Sequence, residues 1–259
     1  MVFADAKQRF SNRVADYMKY RPGYPAAIVD LLRDECGLRA EHVIADIGSG
    51  TGLLSEIFLK NGNRVIGVEP NAEMRAGGDG FLRDYKNFRS VEGSAEATGL
   101  ADHSVDFVTA GQAFHWFEPK TARREFVRIL KPGGWLAIIW NDRRLEETRF
   151  AREYEGLLQK YGTSYKSVKD SYPEVETIHD FFESADFFMR DFPNYQLFDL
   201  EGLRGRLRSS SYAPTEVHAN YVPLMTELEK LFRENEQNGT VRMEYFTRVY
   251  FGRLPAGRN

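Results

Sequence analysis

Short apolar runs alternate with amphipathic stretches between residues 42 and 141. Five of these runs, each five or six residues long, predict strands: Val43–Ile47, Arg64–Val68, Phe88–Glu92, Val105–Ala110 and Trp135–Trp140. Nearly continuous apolar strands separated by helices are typical of a parallel sheet that is covered on both faces. The pattern therefore predicts an α/β fold with a doubly wound core.

The regular alternation ends after Asn141. Residues 143–186 are charged and aromatic, and they carry two helical stretches, around Glu146–Lys160 and Glu174–Ser184, which are typical of an insertion. Strand patterns then return in two segments, Met189–Phe198 and Val241–Phe251, with an amphipathic helix between them. We expect this last pair to complete a mostly parallel, seven-stranded sheet as its antiparallel edge.

The amino-terminal region predicts two helices. Phe10 and Tyr17 belong to an apolar series at helical spacing, and a second helix extends between Pro25 and Gly37. The two prolines and the glycine of residues 20–25 force a turn between the helices. We therefore expect the aromatic and basic side chains of this turn to be presented from a loop, where binding residues are frequent.

Composition excludes several classes of protein. The 35 basic and 38 acidic residues give a net charge of −3, so no global positive field attracts nucleic acid. The longest apolar run, Trp135–Trp140, is far shorter than the ~20 residues of a membrane span, and Asp5, Lys7 and Arg9 interrupt any signal-peptide pattern. Cys36 is the single cysteine, which excludes an internal disulfide and fits a reducing compartment. We expect a cytoplasmic protein with neither a nucleic-acid nor a membrane partner.

A glycine loop follows the first predicted strand. Gly48, Gly50 and Gly52 alternate before the next helix, so the backbone can turn tightly and approach a ligand. The dinucleotide fingerprint requires a glycine where this chain has Leu53, and the carboxylate of Asp46 would repel a pyrophosphate while attracting an ammonium group. A P-loop is excluded because no Gly-Lys-Ser/Thr follows. The alternative is a tight turn without a ligand.

A second carboxylate, Glu69, ends the second predicted strand, 23 residues after Asp46. If the two strands are adjacent and parallel, Glu69 lies beside the glycine loop. A carboxylate in that place can accept hydrogen bonds from both hydroxyls of a ribose, as the acidic residue of nucleotide-binding folds does. By itself, Glu69 is equally consistent with a solvated acid at a strand end.

These residues resemble the class I S-adenosylmethionine-dependent methyltransferases, in particular the small-molecule branch grouped as type 11, which includes trans-aconitate-methyltransferase-like proteins. The resemblance covers roughly residues 10–141. Beyond the glycine loop, residues 93–100 are similar to the adenine-binding segment of the family, although many members have Asp in place of Ser94. Residues 110–117 resemble the A-x-H-W segment near the transferred methyl group, and residues 128–136 resemble the turn that opens the fifth strand.

The resemblance implies a Rossmann-like methyltransferase fold with a helical flap (residues 1–40), a core (41–141 and 187–259) and a helical lid insertion (142–186) before the last two strands. It implies methyl transfer from S-adenosylmethionine to a small molecule, with S-adenosylhomocysteine as product and no metal. It also implies a set of cofactor-binding residues: Tyr17, Tyr20, Arg21, Asp46, Gly48, Ser49, Gly50, Gly52, Glu69, Pro70, Asn71, Met74, Ser94, Ala95, Glu96, Gly111 and Gln112.

Two residues are expected at the reacting centre. His115 is a candidate general base, because an unperturbed imidazole titrates near neutral pH, and its alternative role is to position the reactants by shape and hydrogen bonding. Trp116 is expected to form an apolar wall beside it.

The acceptor site is expected on the segments after the fifth strand and after the sixth. Its candidates are Asn141, Arg143, Arg144, Ser211 and Tyr212. Arginine can bind a carboxylate through two hydrogen bonds, so an acceptor that carries a carboxylate is favoured. Three further arginines, Arg204, Arg206 and Arg208, either contribute to the same site or form a solvated cationic helix face.

Two other functions stay open at this point. One is an NAD(P)-dependent oxidoreductase, which Leu53 and Asp46 disfavour. The other is a cofactor-binding module without catalytic activity. Methylation of nucleic-acid bases is disfavoured, because residues 111–114 do not match the N/D-P-P-Y/F run that is typical of that chemistry. The sequence is consistent with either a monomer or a homodimer.

Overall fold

The computed structural model describes residues 14–170, 175–183 and 187–255, without the side chains of residues 168 and 169. Phe10, which is expected in the first helix, lies outside these ranges. The described residues form one open sheet of seven strands: β1 (Val43–Ile47), β2 (Arg64–Val68), β3 (Phe88–Val91), β4 (Val105–Gly111), β5 (Leu130–Arg143), β6 (Phe187–Phe198) and β7 (Val241–Gly252). The strand order is β3-β2-β1-β4-β5-β7-β6, with β7 antiparallel to both of its neighbours and the other pairs parallel. The predicted fold class is confirmed.

Ten α-helices flank this sheet in the described ranges: α1 (Val14–Tyr20), α2 (Ala27–Cys36), α3 (Ser55–Lys60), α4 (Ala72–Phe81), α5 (Pro119–Ile129), α6 (Arg149–Tyr161), α7 (Tyr165–Asp170), α8 (Val175–Phe182), α9 (Leu200–Arg208) and α10 (Tyr221–Asn235). Three helices rather than two lie between β5 and β6, because the six-residue α7 is too short to show a clear apolar period. Helix α9 begins where the Asp199 carboxylate accepts a hydrogen bond from the Gly202 amide (2.7 Å).

The parallel pairing of β1, β2 and β4 brings together the strand ends that carry the predicted site residues. Asp46 of β1 pairs with Gly67 of β2 on one side and with Thr109 of β4 on the other. The carboxyl ends of these strands therefore meet at one edge of the sheet, where open α/β sheets bind ligands. The glycine loop after β1 and Glu69 after β2 lie side by side at this edge.

Three apolar clusters hold the fold together. Two of them cover the opposite faces of the sheet, with Phe58 and Phe107 in one and Val108 and Phe126 in the other. The third lies over the long strand β7 and joins α1, α6, α7, α9 and α10. Complete burial of a single large apolar side chain contributes about 1.5–3 kcal/mol, so this third cluster fixes the layer above the strand ends.

The third cluster also bears on the domain division. Tyr154 of α6 packs in it together with Leu228 of α10, and the Arg149 guanidinium pairs with the Glu234 carboxylate (3.1 Å). The segment between β5 and β6 therefore shares its core with the helices between β6 and β7. The division into flap, core and lid insertion stays a prediction. None of the described helices is both long enough and apolar enough to span a bilayer.

Candidate functional site

Two adjoining cavities open at the carboxyl edge of the sheet. The large cavity has a volume of about 410 Å³ and extends along Glu69, Met74 and Ala95. The small cavity has a volume of about 150 Å³ and extends towards β5, α7 and α9. Seven residues line both cavities: Tyr17, Arg21, Gly48, Gly50, Gly111, Gln112 and Tyr212. A ligand in one cavity can therefore contact a ligand in the other.

The glycine loop forms the floor where the cavities meet. Gly48 and Gly50 have φ angles of 67° and 56°, in the left-handed region that favours glycine. A β-carbon on Gly48 would lie 2.6 Å from the β-carbon of Ala113, so the loop passes directly against the segment after β4. The loop is fixed by the Gly48 amide, which donates to the Val68 carbonyl (2.8 Å). Glycine is required at position 48 for two independent reasons.

Glu69 lies beside this loop as the strand register requires. Its Oε2 accepts a hydrogen bond from the Gly50 amide and its Oε1 accepts one from the Asn71 amide, both at 2.9 Å. Burial raises the pKa of Glu69, and these two amides and the Arg75 charge oppose the shift. Each carboxylate oxygen keeps a further lone pair, so the group can still accept hydrogen bonds from ligand hydroxyls.

Asp46 is completely buried beneath the loop and lines the small cavity. Its oxygens accept hydrogen bonds from the hydroxyls of Ser55 (2.6 Å) and Thr109 (3.2 Å). Burial is the main cause that raises the pKa of Asp46 to about 7, and Glu69 adds to the shift. A cation placed nearby would favour the ionised form of this carboxylate.

His115 lies in a 3₁₀ turn, Phe114–Trp116, and lines the large cavity together with Trp116. The imidazole ring packs against Trp116, with ring centroids 4.5 Å apart, and against Trp140 at 5.3 Å. Burial, followed by the charge of Arg21, lowers the pKa of His115 to about 3. An imidazole with so low a pKa is a weak proton acceptor at neutral pH, which favours a positioning role.

The small cavity contains two buried arginines. The Arg143 guanidinium donates to the Glu155 carboxylate (2.9 Å) and to the Tyr165 hydroxyl (2.8 Å). Arg206 is only 4% exposed, and its guanidinium donates to the Ser210 hydroxyl (2.9 Å). No carboxylate in the described ranges forms an ion pair with Arg206. The hydrogen-bond acceptors of this guanidinium among the described residues are hydroxyl groups, those of Ser210 and Tyr245.

Tyr212 separates these arginines from the large cavity and is itself buried. Burial raises the pKa of Tyr212, but the charges of Arg143, Arg206 and Arg21 lower it more, so its pKa lies below the usual value for a phenol. The neighbouring phenol Tyr165 has a raised pKa, chiefly because it is buried. Tyr212 is thus distinguished from the tyrosine beside it by the field of the three arginines.

The family model described as a methyltransferase domain matches residues 45–138, the segment from β1 to β5 that carries the glycine loop, Glu69 and His115. These residues form a methyltransferase domain. This methyltransferase is 29% identical over 242 residues to an uncharacterised methyltransferase of Schizosaccharomyces pombe, covering 93% of this chain and 95% of the relative.

Solved structures are similar to this methyltransferase in fold. A protein of Anaeromyxobacter dehalogenans with a provisional assignment as a type II methyltransferase has a TM-score of 0.65 at 21% identity, covering 91% of this chain and 98% of that one. A phosphoethanolamine N-methyltransferase of Haemonchus contortus, solved with phosphomonomethylethanolamine and S-adenosylhomocysteine, has a TM-score of 0.58 at 16% identity, covering 98% of this chain and 59% of that one.

Most of the predicted site residues of this methyltransferase line one of the two cavities, and three do not. Tyr20 packs against Gly205 of α9 and lines neither cavity, and Gly52 packs against the side chain of Leu82. Arg144 points away from the site, where it pairs with Glu147 and Glu244 and lies over the ring of Phe246. The other predicted cofactor-binding residues, together with His115, Trp116, Asn141, Arg143, Ser211 and Tyr212, line a cavity.

The sequence assigns no specific role to two residues that line the small cavity, Arg206 and Tyr245. The sequence is consistent with Arg206 either in a substrate site or on a solvated helix face, and the structure places it in the small cavity. Arg204 and Arg208 instead form ion pairs with Glu229, Glu201 and Asp16. The signal was available, because Arg206 follows Leu203 by three positions and so shares its buried helix face. Tyr245 was missed because only the pairing of β7 with β5 brings it to the cavity.

The residues that line the cavities fit S-adenosylmethionine, the cofactor that the sequence resemblance implies. The Thr51 hydroxyl is buried at the small cavity without a hydrogen-bond partner among the described residues, so a polar ligand group can use it. Asp46, Glu69 and Arg21 place two carboxyl groups and one guanidinium group around the loop. In the ranges that the structure describes, no three His, Cys, Asp or Glu side chains are grouped so that they could hold a metal ion.

Proposed function

We propose that this methyltransferase transfers a methyl group from S-adenosylmethionine to a small-molecule acceptor that carries a carboxylate. The acceptor class is inferred from Arg206. Its guanidinium is buried in the small cavity and has no carboxylate partner among the described residues. A buried charge without a counter-charge costs several kcal/mol, of the order of the penalty for an unpaired buried ion. An acceptor carboxylate would remove that penalty when it binds.

The large cavity is the proposed site of the cofactor. Glu69 would accept hydrogen bonds from the ribose hydroxyls, and Met74 would pack against the adenine. Asp46 would attract the ammonium group of the methionine part, and Arg21 its carboxylate. Support comes from the volume of the large cavity, from Glu69 in its lining, and from Asp46, which lines the adjoining small cavity beneath the shared glycine loop. The S-adenosylhomocysteine bound by the Haemonchus contortus neighbour is consistent with this assignment, although that likeness is one of fold.

The cofactor supplies an activated methyl group on a sulfonium, so the protein has to orient the acceptor and exclude water. Arg206 and Arg143 would hold the acceptor carboxylate in the small cavity. His115 and Trp116 would shape the apolar wall on the other side of the shared boundary, with the imidazole neutral. Gln112 would stay fixed by its hydrogen bond to the Asn141 carbonyl (2.9 Å).

The cofactor assignment is tested by thermal unfolding of the protein with S-adenosylmethionine, S-adenosylhomocysteine or NAD. A ligand at 100 times its dissociation constant stabilises the folded state by about 2.7 kcal/mol, so a specific ligand raises the melting temperature measurably. We expect a shift with the first two ligands and its loss in Glu69→Gln. A shift with NAD alone would contradict the proposal and restore the oxidoreductase alternative.

The acceptor class is tested by transfer of an isotope-labelled methyl group to a panel of small carboxylic acids and to the matching amides. We expect acids alone to react, and Arg206→Met to raise their KM by roughly 30-fold, since a charged hydrogen bond contributes about 2 kcal/mol. Arg144→Met is the matched control, because Arg144 lies outside both cavities. Equal rates for acids and amides would refute the carboxylate.

A further inference from the structure

We propose that Tyr212 takes a proton from a hydroxyl group of the acceptor, so that the acceptors of this methyltransferase are small hydroxy acids and the products are methyl ethers. This inference rests on the proposed function, since it assumes a carboxylate-bearing acceptor in the small cavity. It adds the acceptor atom and the group that activates it.

The position of Tyr212 is the first argument. It is one of the residues that line both cavities, so its side chain lies at the boundary between the proposed cofactor and the proposed acceptor. The residue is held in place: its carbonyl accepts a hydrogen bond from the Thr163 amide (3.0 Å), and its ring packs edge-on against Tyr165 with centroids 4.9 Å apart. A proton acceptor has to be fixed at the reacting atom in this way.

The charges around Tyr212 are the second argument. Arg21 after α1, Arg143 of β5 and Arg206 of α9 each stabilise a negative charge on its oxygen, and the Ser210 hydroxyl is a hydrogen-bond partner of the phenol. Glu155 of α6 forms an ion pair with Arg143 (2.9 Å). An acceptor carboxylate would pair with Arg206 and the cofactor carboxylate with Arg21, while all three guanidinium groups still lie close enough to favour a negative charge on the Tyr212 oxygen.

The other titratable groups at the small cavity are less suited to take the proton, and Asp46 among them is assigned to the ammonium group of the cofactor. Burial is the largest cause that raises the pKa of Tyr154 on α6 and of Tyr165 on α7, so both stay neutral. Asp142 of β5 lines the small cavity, but it pairs with Arg248 (3.2 Å). Tyr245 of β7 uses its hydroxyl to donate to the Gln196 amide oxygen (3.0 Å).

The volume of the small cavity limits the size of the acceptor. About 150 Å³ is the volume of an engineered apolar cavity that binds benzene. The largest acceptor that fits is therefore one ring with its carboxylate at Arg206, such as a hydroxybenzoate whose hydroxyl extends across the boundary into the large cavity. The ring would lie among the phenols of Tyr165 and Tyr245, which line this cavity.

The reaction balances without a further reactant. The acceptor O–H bond breaks and its proton forms a bond to the Tyr212 phenolate oxygen. The acceptor oxygen uses the electron pair of the former O–H bond to bond the methyl carbon, while the carbon–sulfur bond breaks and its own electron pair stays on sulfur. Tyr212 then releases the proton to water, and the products are a methyl ether and a neutral thioether. His115, with a pKa lowered to about 3, is a much weaker acceptor for this proton.

The first test needs no acceptor. Tyrosinate absorption in the ultraviolet is titrated in the full chain, in Tyr212→Phe and in the control Tyr154→Phe, which removes a buried phenol that lines neither cavity. We expect one of the thirteen tyrosines to ionise below the usual phenol pKa of about 10 in the wild type and in Tyr154→Phe. This step should be missing in Tyr212→Phe. Identical titrations of the wild type and Tyr212→Phe would overturn the proposal.

The second test measures methyl transfer to hydroxybenzoates and short aliphatic hydroxy acids, with benzoate and dicarboxylic acids as comparisons. We expect ether products that resist alkaline hydrolysis, and a loss of about 100-fold or more in kcat for Tyr212→Phe with unchanged affinity for S-adenosylmethionine. Alkali-labile esters, an unchanged kcat in Tyr212→Phe, or no methylated hydroxy acid from a protein that binds the cofactor would each overturn it. A protein that does not bind S-adenosylmethionine would instead contradict the proposed function.

Discussion

Tyr20 at the end of α1 lies directly on Gly205 of α9, so closely that a β-carbon on Gly205 would overlap the tyrosine ring. Two polar contacts flank this packing: the Asp16 carboxylate pairs with Arg208 (2.9 Å), and Arg21 donates to the Ser209 carbonyl (2.9 Å). Helix α1 and the turn after it carry residues of both cavities, and α9 carries Arg206. One close helix contact therefore sets the relative position of both parts of the site.

Replacing Gly205 by alanine should separate these two helices. We expect a loss of about 1–3 kcal/mol in the free energy of unfolding, the usual cost of forcing an extra group into a packed core. Affinity for S-adenosylmethionine should fall as well, because Tyr17 and Arg21 move with α1. Gly156→Ala is the matched control, since Gly156 lies on α6 with open space around it, and there alanine stabilises the helix by up to about 1 kcal/mol. Chemical denaturation and cofactor titration of both variants measure these effects, and equal stabilities would contradict the packing argument.

Gly48→Ala tests the close approach of the glycine loop to the segment after β4. The new methyl group would collide with Ala113 and would also hold a left-handed φ, so we expect a loss of about 3 kcal/mol or more and no binding of S-adenosylmethionine. Gly133→Ala is the control, because Gly133 also has a positive φ (79°) but has open space around its α-carbon. That variant should lose only about 1 kcal/mol and keep its cofactor affinity. If both variants lose the same amount, the contact with Ala113 has no separate effect.

The sheet was predictable because most of its strands coincide with short apolar runs in the sequence. Strands β1 and β2 have the predicted bounds, since each is buried on both faces and ends at a polar residue or a glycine. Strand β5 is longer than predicted, Leu130–Arg143 rather than Trp135–Trp140. Its last residues, Asn141–Arg143, are polar and belong to the strand only because they pair with β7, a partner about a hundred residues later in the chain.

The large cavity was more predictable than the small one, because strand order can be inferred from local sequence patterns and helix packing cannot. The large cavity is built from segments that directly follow strands, so strand order alone brings Gly48 and Glu69 together. The small cavity depends on how α6, α7 and α9 pack over β7, which local periodicity does not encode. Arg206 and Tyr245 meet across 39 positions of sequence. The lining of the small cavity was therefore predicted only in part.

Asp46→Asn should change how stability depends on pH in the ligand-free protein. The carboxyl of Asp46 has a pKa of about 7 when folded, above its value in an unfolded chain. Protonated Asp46 makes its full contribution to the free energy of unfolding below pH about 4. That contribution is lost as the pH rises towards 7, which lowers the free energy of unfolding by up to about 4 kcal/mol. We expect Asp46→Asn to melt higher than the wild type above pH 7, and the difference to vanish in acid. Parallel melting curves across this range would show that Asp46 is already ionised.

The same carboxylate predicts a pH dependence of cofactor binding. A ligand that brings an ammonium group to Asp46 binds the ionised form, so wild-type affinity for S-adenosylmethionine should fall up to about tenfold per pH unit below pH about 7. Asp46→Asn should bind weakly, without this pH dependence. Calorimetric titration at several pH values measures both, and it should detect proton release on binding near pH 7. A variant with wild-type affinity would contradict the assigned contact.

Glu125 holds the loop that carries Ser94 and Ala95 into the large cavity. Its Oε1 accepts hydrogen bonds from the Thr98 amide (2.8 Å) and the Thr98 hydroxyl (2.6 Å), and Arg128 donates to both of its oxygens. The Arg128 guanidinium is the main cause that lowers the pKa of Glu125 to about 2. Because the folded pKa is depressed, this stabilisation is present above pH about 4.5 and is lost as the pH falls towards 2.

Glu125→Gln should therefore destabilise the protein by about 2–3 kcal/mol at neutral pH and by much less near pH 2, where the wild type has lost the charge too. The exposed pair of Glu92 and Arg75 supplies the control: Glu92 is 76% exposed, so Glu92→Gln should cost less than about 1 kcal/mol at either pH. Chemical denaturation at the two pH values measures the difference. Glu125→Gln should also weaken cofactor binding, because the loop between β3 and β4 would lose the contacts that hold it. Glu92→Gln should leave cofactor affinity unchanged. Equal affinities of the two variants would mean that other contacts hold the loop.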